Sequence, residues 1–171
     1  MIRLSFIFLF ALTTTAWSAP LPSTGTVAVY FSPRGGATEA IISEISKAKH
    51  TIQLQAYSFT SAPIAKALLE AHKRGVHVEA MLDKSQKTAK YTSATFLVNA
   101  GIPVLIDSKH AIAHNKIIII DQSTLITGSF NFTKAAEEKN AENLLVIKGN
   151  QPLVDKYLRN YEEHKGHSEK Q

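Results

Sequence analysis

The chain has 171 residues, of which 44% are hydrophobic, and its 19 Lys and Arg against 14 Asp and Glu give a net charge of +5. This length and apolar share predict one domain with a sizeable core. The absence of cysteine excludes disulfides and thiolate metal sites. The moderate positive charge is compatible with a polyanionic partner and does not by itself establish one.

Residues 1–18 have the three parts of a secretory leader. A basic start precedes the apolar run 4–12, and Ala16 and Ser18 are small residues at the positions that a signal peptidase reads. The run is too short for a stable membrane anchor, although an uncleaved anchor is the alternative. We predict a signal peptide over 1–18, a single domain over 19–171, and no stable membrane anchor after the leader is removed. Loss of the leader removes one arginine and leaves 18 basic against 14 acidic residues, a net charge of +4.

Strand and helix patterns alternate along the rest of the chain. Short apolar or alternating runs predict strands at 27–31, 51–57, 76–82, 102–106, 124–127 and 144–147. Apolar residues at helical spacing predict helices at 37–49, 64–74, 94–100 and 152–163, with a short polar helix or loop at 134–140. This order predicts an α/β sandwich with a mixed, mostly parallel β-sheet flanked by helices on both faces. The last strands lack long helices between them, which predicts an antiparallel portion, and the polar tail from His164 is expected to fray.

Residues 114–121 read His-Asn-Lys-Ile-Ile-Ile-Ile-Asp. Four consecutive isoleucines predict a strand that is buried on both faces. The period of two in a strand puts His114 and Lys116 on one face and Asp121 on the other. A titratable imidazole beside a fixed ammonium suits a substrate with a negatively charged centre under nucleophilic attack, such as a phosphodiester. A structural histidine next to a solvated lysine is the alternative.

A second polar segment, Gly-Ser-Phe-Asn-Phe-Thr, begins at Gly128. Gly128 permits a close backbone approach, while Ser129 and Asn131 supply neutral donors that can hold phosphate oxygens. Glu142 opens the next apolar run. Its carboxylate can accept from the second nitrogen of His114 and so fix the tautomer of the ring.

We interpret no pair of histidines and no cluster of carboxylates in the sequence as a metal site. We therefore expect no metal ion and no other cofactor, so that protein side chains must neutralise the negative charge of a phosphate. His110 lies in the loop before the motif and is a weak candidate for the site. Four other histidines are interpreted as surface or structural residues: His50, His72, His77 and His167.

The motif His-x-Lys-x4-Asp followed by Gly-Ser-x-Asn resembles the signature of the phospholipase D superfamily. The short chain, the single copy of the motif and the leader are similar to the small bacterial endonucleases of that superfamily. The resemblance extends over 27–161 and includes Gln-Leu-Gln-Ala-Tyr-Ser-Phe-Thr at 53–60, which is similar to the second core strand of the family. It implies a phospholipase D-like sandwich and a bacterial protein, for which the leader predicts a periplasmic or secreted location.

The resemblance also implies a reaction. The implied protein is a metal-independent endonuclease that hydrolyses nucleic acid through a phosphohistidine intermediate on His114. The nucleic acid is DNA, and RNA is left open as a further substrate. Larger members carry two copies of the motif, whereas this chain carries one. The resemblance therefore implies a homodimer with a shared active site, in which His114 of the second subunit is the general acid.

Roles for the other site residues follow from the same resemblance. Lys116 and Asn131 of both chains bind the nonbridging oxygens of the phosphate, and Ser129 assists them. Glu142 orients the imidazole. Two further positions are predicted from the residues themselves to support the site without taking part in the chemistry: Asp121, which faces away from His114 on a regular strand, and Gly128, which permits a close backbone approach.

Two other functions are compatible with these residues. A phospholipase D-type hydrolase of lipid phosphodiesters would use the same catalytic residues, and three aromatic side chains near the motif keep it open: Phe59, Phe130 and Phe132. A non-catalytic nucleic-acid-binding module is a different class. It is disfavoured because a binding module needs no histidine and lysine pair with an orienting acid.

Overall fold

The computed structural model describes residues 20–87 and 92–171, so the predicted leader lies outside the described residues. Its strands are β1 (Thr26–Ser32), β2 (Thr51–Ala56), β3 (His77–Asp83), β4 (Val104–Asp107), β5 (Lys116–Ile120), β6 (Thr124–Gly128), β7 (Glu142–Lys148) and β8 (Glu169–Lys170). Its helices are α1 (Ala37–Lys47), α2 (Ala62–Lys73), α3 (Ser93–Asn99), α4 (Lys134–Glu138) and α5 (Gln151–Lys165), with a 3-10 turn at Lys84–Gln86. The elements predicted from the sequence are confirmed to within two residues at either end.

Within these residues the eight strands form one sheet in the order β1-β7-β6-β5-β2-β3-β4-β8. The predicted α/β class with a mixed sheet is confirmed, but the prediction that the sheet is mostly parallel is wrong. Only β2 with β3 and β3 with β4 are parallel. A helix crosses over between the strands of each of these two pairs, as parallel neighbours require. The five other pairings are antiparallel, including those of the β5, β6 and β7 portion that the sequence predicted to be so.

Both faces of the sheet are covered by helices, as predicted. Ile118 and Ile120 of β5 pack into the core cluster that contains the buried side chains of α1, α2 and α3. Ile117 and Ile119 point to the opposite face and pack with Val154 and Tyr161 of α5. Because each of these isoleucines is at most 6% exposed, the four-residue apolar run is buried on both faces.

The C-terminal segment does not fray, contrary to the sequence-based expectation. The α5 helix continues to Lys165, and the short strand β8 then pairs with β4. Glu79 anchors the helix, because it accepts a hydrogen bond from the Tyr161 hydroxyl at 3.0 Å and pairs with Lys165 at 2.9 Å. A two-residue polar strand has no apolar periodicity, so the sequence carried no pattern from which to predict it.

The ends of four strands meet at one edge of the sheet. The parallel strands β2, β3 and β4 all end there, and the antiparallel β5 begins there, with Lys116 opposite Ala56. Asp83, at the end of β3, accepts from the backbone N–H groups of Ser85 at 2.9 Å and Ala113 at 2.7 Å. The loop that leads into β5 is therefore held in place next to the strand ends.

Candidate active site

His114 and Lys116 stand side by side at the start of β5. Lys116 pairs with Ala56, and the Tyr57 backbone N–H donates to the Asn115 carbonyl oxygen at 2.8 Å, which fixes the residue between the two. Lys116 is only 6% exposed, whereas His114 is exposed. The placement of the two side chains next to each other, predicted from the strand period, is confirmed. A buried cation thus lies against an accessible imidazole.

The Lys116 ammonium contacts His114 at two atoms. It donates to the His114 carbonyl oxygen at 2.8 Å and lies 3.1 Å from Nδ1 of the ring. An ammonium has only hydrogens to offer, so Nδ1 acts as the acceptor and a neutral ring carries its proton on Nε2. In this arrangement Nε2 can donate a proton. For Nε2 to attack as a nucleophile, the ring proton must move to Nδ1, which then needs an acceptor in place of Lys116.

Tyr57 forms a wall of this pair, which the sequence reasoning did not identify. Its ring centroid lies 4.5 Å from that of His114 at an angle of 46°, and the Lys116 ammonium is 5.2 Å from the Tyr57 centroid. The aromatic face favours a cation at this distance. A signal was present in the sequence, because Tyr57 stands at the end of the predicted strand 51–57. In the structure this strand, β2, is the antiparallel neighbour of β5.

The environment of Lys116 changes its acid–base behaviour. Burial disfavours the charged form and lowers the pKa of Lys116, while the negative charge of Glu142 acts in the opposite direction. The net effect is a pKa below the usual value of 10.5. Glu142 therefore lies close enough to Lys116 to influence it electrostatically.

The turn after β6 brings Ser129 to the same edge. Gly128 has a φ of 149°, and a Cβ there would lie 2.3 Å from the Asn143 carbonyl oxygen, so only glycine fits. Ser129 Oγ accepts from the Asn143 backbone N–H at 3.0 Å and from its Nδ2 at 3.3 Å. These contacts use the acceptor capacity of the hydroxyl and leave its O–H able to donate. The predicted close approach at Gly128 is confirmed.

Asn131 is positioned by Glu142. The Asn131 backbone N–H donates to Glu142 Oε2 at 3.3 Å, and Asn140 Nδ2 donates to Oε1 at 3.0 Å. Ser32 Oγ accepts from the Glu142 backbone N–H at 3.1 Å. The side-chain oxygen of Asn131 is buried, and it has no hydrogen-bond partner among the described residues. A buried amide of this kind has unused hydrogen-bonding capacity for a substrate.

The contact expected between Glu142 and His114 is not formed in this structure. Within residues 20–87 and 92–171, the side-chain hydrogen bonds of Glu142 go to Asn131 and Asn140, and none goes to the imidazole. Glu142 acts on the pair through the charge of Lys116 instead. The sequence could place Glu142 next to the site but could not fix the rotamer that decides which neighbour it bonds.

Asp121 lies at the opposite end of β5, away from His114. Its carboxylate accepts from the backbone N–H groups of Lys49 at 2.9 Å, His50 at 2.7 Å and Thr51 at 2.9 Å. Burial by itself would raise the pKa of Asp121, but these hydrogen bonds outweigh it and hold the pKa below its usual value. The geometry therefore gives Asp121 a structural task, the fastening of the turn between α1 and β2.

A cavity of about 380 Å³ opens beside the pair. It is lined by His114, Lys116 and Gly128 on one side and by Lys156, Tyr157 and Asn160 of α5 on the other. The sequence analysis placed all three residues of α5 within the predicted helix 152–163 and gave them no role in the site. The polarity of the exposed side of α5 was the only signal, and it does not distinguish a cavity wall from an ordinary surface.

A second group of polar side chains was not expected from the sequence. Asp107, His110, His164 and His167 lie together near the ends of β4 and α5. None of them belongs to the set that surrounds His114 and Lys116. Sequence spacing missed the group because 57 positions separate Asp107 from His164. His167, which was interpreted as a surface or structural residue, belongs to this group.

Comparison with known proteins agrees with this fold. The family model described as "Cardiolipin synthase, PLD-like domain" matches residues 41–165. A protein named phospholipase D from Rickettsia typhi is 43% identical over 145 residues, which cover 85% of this chain and 71% of that protein. The mitochondrial cardiolipin hydrolase of Xenopus laevis is 29% identical over 145 residues, 85% of this chain and 64% of that protein.

Solved structures show the same relationship. The phospholipase D family member Nuc from Salmonella typhimurium superposes with a TM-score of 0.83 at 40% identity, over 86% of this chain and 99% of that one. NucT from Helicobacter pylori shares the fold with a TM-score of 0.80 at 24% identity, over 86% of this chain and 100% of that one. The fold and the site thus define a phosphodiesterase built on a mixed α/β sheet. The chain belongs to the phospholipase D superfamily, and it is a hydrolase that acts on phosphodiester bonds.

Proposed function

We propose that the protein is an endonuclease that hydrolyses the phosphodiester bonds of nucleic acid through a covalent intermediate on His114. The proposed substrate is DNA, and RNA is left open as a further substrate. The observation that carries the proposal is the Lys116 ammonium 3.1 Å from the ring of an exposed histidine, at the mouth of a cavity. This pair combines an accessible nucleophile with a cation for the charge on phosphorus. A binding module without catalysis would need no such arrangement.

The reaction proceeds in two displacements. His114 Nε2, once its proton has moved to Nδ1, attacks phosphorus and forms an N–P bond while the bond to the departing oxygen breaks. An acid on the far side protonates that oxygen. A water molecule then attacks the phosphohistidine, and the former acid takes its proton as a base, which releases the phosphate monoester and restores the imidazole.

Three side chains are proposed to hold the nonbridging oxygens. Lys116 supplies the positive charge, and its burial strengthens that interaction. Ser129 has an O–H group able to donate, and Asn131 supplies the NH2 group of its amide as a donor. Glu142 positions Asn131 through its backbone N–H and, in the reacting complex, is the acceptor proposed for Nδ1 of His114.

The acid in this scheme comes from a second copy of the chain. Each chain carries one His-x-Lys-x4-Asp motif, so one subunit supplies one histidine at the reaction centre. Twofold symmetry brings His114 of the second subunit to the other side of the phosphorus. In the conformation described here Nε2 carries the proton of a neutral ring, which is the form that an acid requires.

An exposed apolar row on β1 supports the contact between copies. Val27, Val29 and Phe31 are 59%, 51% and 64% exposed, and they share one face because side chains alternate along a strand. Phe31 pairs with Asn143, which bonds to Ser129. The row therefore ends beside the candidate site. Burial of this row against its symmetry mate would bring the two sites together.

The proposed reaction uses protein groups in place of a metal ion. Among the described residues, the histidine and carboxylate side chains that cluster are Asp107, His110, His164 and His167. None of these four residues is assigned to the reaction. Lys116 carries the charge that a metal would otherwise supply, and Asn131 and Ser129 supply donors.

Lipid phosphodiesters are the second candidate substrate. The names of the relatives, phospholipase D and cardiolipin hydrolase, favour it. Nucleic acid is favoured by the net positive charge of the chain and by Lys156, a further cation on the wall of the cavity opposite His114. Among the described residues, no helix combines the length and the apolar character needed to cross a bilayer.

A direct assay separates these substrates. The purified chain is incubated with duplex DNA, single-stranded DNA, RNA, and vesicles of phosphatidylcholine with and without cardiolipin. We expect cleavage of nucleic acid that is lost in His114→Ala and kept in His77→Ala, a matched change at an exposed histidine outside the site. Release of a headgroup from vesicles without any cut in nucleic acid would replace the proposal by the lipid hydrolase. Tight binding of nucleic acid with no product would replace it by the binding module.

Export is proposed from residues 1–18 alone. A basic start, a short apolar run and small residues before the cleavage point are the parts of a leader. We therefore expect the mature chain in the periplasm or the medium of its bacterial host, with its N-terminus at Ala19. Mass spectrometry of the chain from each cell fraction tests this expectation, and an intact Met1 in the exported fraction would contradict it.

A further inference from the structure

Four side chains from two distant segments, 107–110 and 164–167, meet near one end of β4. Asp107 ends β4, His110 lies in the loop that leads to His114, His164 is in the last turn of α5, and His167 lies between α5 and β8. One ligand atom from each of them falls within 4.8 Å of all the others. The sequence alone does not bring these segments together, so the group is a product of the fold.

The carboxylate of Asp107 is the centre of the group. Its side chain is fully buried, and its Oδ2 lies 2.7 Å from His164 Nδ1 and 2.9 Å from His110 Nδ1. Its Oδ1 lies 3.5 Å from His167 Nε2. The rings of His110 and His164 stack with their centroids 4.6 Å apart. Three imidazoles therefore aim a nitrogen at a single carboxylate.

One of these nitrogens has no hydrogen bond. His167 Nε2 is inaccessible to solvent and lacks a partner within hydrogen-bonding geometry among the described residues. Buried polar atoms in folded proteins are almost always paired, with protein, with water or with an ion. The orphaned atom faces Asp107 and the other two rings, where an ion bound to all four side chains would also contact it.

The ligand set defines the class of ion. Three neutral imidazoles and one carboxylate, with no thiolate, suit zinc and its divalent transition-metal neighbours, whereas calcium and magnesium prefer oxygen. Zinc bonds of about 2.0–2.1 Å in a tetrahedron place ligand atoms about 3.3 Å apart. The present separations from Asp107, 2.7 to 3.5 Å, lie on both sides of that value. Because His110 is partly exposed, its ring can adjust.

The surroundings of the carboxylate fit a metal ligand as well. Asp107 Oδ1 accepts from the backbone N–H groups of Lys109 at 3.2 Å and His110 at 3.4 Å. Hydrogen bonds of this kind orient a coordinating carboxylate from its outer side. Oδ2, which is the nearer oxygen to His110 and His164, is then the one available to an ion.

We propose that Asp107, His110, His164 and His167 bind one zinc-class divalent ion, which fastens the C-terminal segment to the loop ahead of His114. His110 precedes His114 by four positions in the sequence. Lys84 Nζ donates to the His110 carbonyl oxygen at 3.0 Å, and Asp83 holds Ala113 in the same loop. The role is structural, since no residue of the group is assigned to the reaction. The inference stands independently of the proposed nuclease activity.

Metal binding is measured on the full chain, purified without a polyhistidine tag and stripped with a chelator. Zinc is titrated by calorimetry, its stoichiometry is determined by elemental analysis, and cobalt(II) is added to a separate sample for its absorption spectrum. We expect one zinc ion per chain, a higher melting temperature with zinc than without, and the strong visible absorption of tetrahedral cobalt. A stripped chain that takes up no zinc, or a cobalt spectrum typical of six oxygen ligands, would overturn the proposal.

Matched double variants locate the ion. His164→Gln with His167→Gln removes two of the four ligands, and we expect zinc affinity to fall by roughly a hundredfold or more. His50→Gln with His77→Gln changes two exposed histidines outside the group and should leave the affinity unchanged. Equal affinity in the two double variants would place the ion elsewhere and overturn the assignment. The cobalt spectrum of the unaltered chain remains decisive if the first variant fails to fold.

Discussion

Lys116 Nζ and His114 Nδ1 lie 3.1 Å apart, so the charge of the lysine and the tautomer of the histidine are coupled. While the ammonium is present it occupies the acceptor nitrogen of the ring, and Nε2 holds the proton. The same contact that stabilises an acid therefore opposes a nucleophile. In a dimer with two such pairs, the reaction requires Nδ1 of one His114 to exchange the Lys116 donor for a hydrogen-bond acceptor, while the other His114 keeps its contact with Lys116.

Removal of His114 should abolish turnover and leave the fold intact. His114 is exposed and contributes a reacting nitrogen, so His114→Ala should lower kcat/KM by at least about a thousandfold with little change in melting temperature. Cleavage kinetics and circular dichroism check both statements, with His77→Ala as the control. Residual activity above a few per cent of the unaltered chain would remove His114 from the nucleophile role.

The alkaline limit of activity should report the pKa of Lys116. Burial lowers that pKa below 10.5, so the ammonium that holds the phosphate is lost at a lower pH than for an exposed lysine. Glu142 acts in the opposite direction, so that Glu142→Gln should move the alkaline limb of kcat/KM to still lower pH. The pH profiles of the two proteins decide this. An unchanged limb in Glu142→Gln would show that another group controls it.

Asp121→Asn should act on stability, whereas Glu142→Gln should act on the rate. Asp121 accepts three backbone hydrogen bonds, and loss of its charge should cost roughly 1–3 kcal/mol of unfolding free energy. Because folding lowers the pKa of Asp121, the difference between the aspartate and the asparagine protein should be full above pH 3.8 and shrink as the pH falls through the lowered value. Melting curves and the rate per folded molecule test both variants. A rate loss in Asp121→Asn as deep as in Glu142→Gln, with unchanged melting, would reverse the assignment.

Chelation should not stop the chemistry. The proposed reaction uses Lys116, Ser129 and Asn131, so cleavage after treatment with EDTA should continue at temperatures well below the melting transition. The inferred ion at Asp107 makes a second prediction, that EDTA lowers the melting temperature of the unaltered chain but not that of His164→Gln with His167→Gln. Loss of cleavage in both proteins, reversed by magnesium or zinc, would mean that a metal takes part in the reaction.

The active unit should be a dimer. Light scattering should give about twice the mass of the mature chain, and specific activity should fall on dilution below the dimer dissociation constant. A mixture of His114→Ala and Lys116→Ala subunits should not recover normal activity, because every shared site still lacks one required group. Phe31→Ser, a change in the exposed row of β1, should weaken association. A fully active monomer would require an acid from within the chain.

The elements around β5 could be predicted because they depend on local patterns. Four isoleucines in sequence indicate a doubly buried strand, and the period of two is enough to set His114 beside Lys116. The excess of antiparallel pairing could not be predicted in the same way. Whether β7 returns beside β6 and then pairs with β1 depends on contacts between segments more than a hundred positions apart, such as Ser32 with Glu142.

The hydrogen-bond partners of the side chains at the site could not be predicted from the sequence. Glu142 is next to the pair as expected, but its hydrogen bonds go to Asn131 and Asn140 because the turn after β6 presents a backbone N–H at the right distance. Tyr57 and the α5 residues Lys156 and Asn160 join the site only through strand pairing and helix packing. The meeting of Asp107 with His164 likewise depends on how the end of α5 packs onto the sheet.

The short strand β8 makes the two borders of the sheet unequal. It pairs with Leu105 and Ile106, and Gln171 donates to the Val104 carbonyl oxygen, so the hydrogen-bonding groups on that side of β4 are already used. A two-residue strand of Glu and Lys is a poor template for a further strand. Among the described residues, β1 pairs on one side only and leaves its other backbone edge open. Strand addition from another molecule can therefore start at β1 but cannot continue from β4, which disfavours growth of the sheet into a fibre.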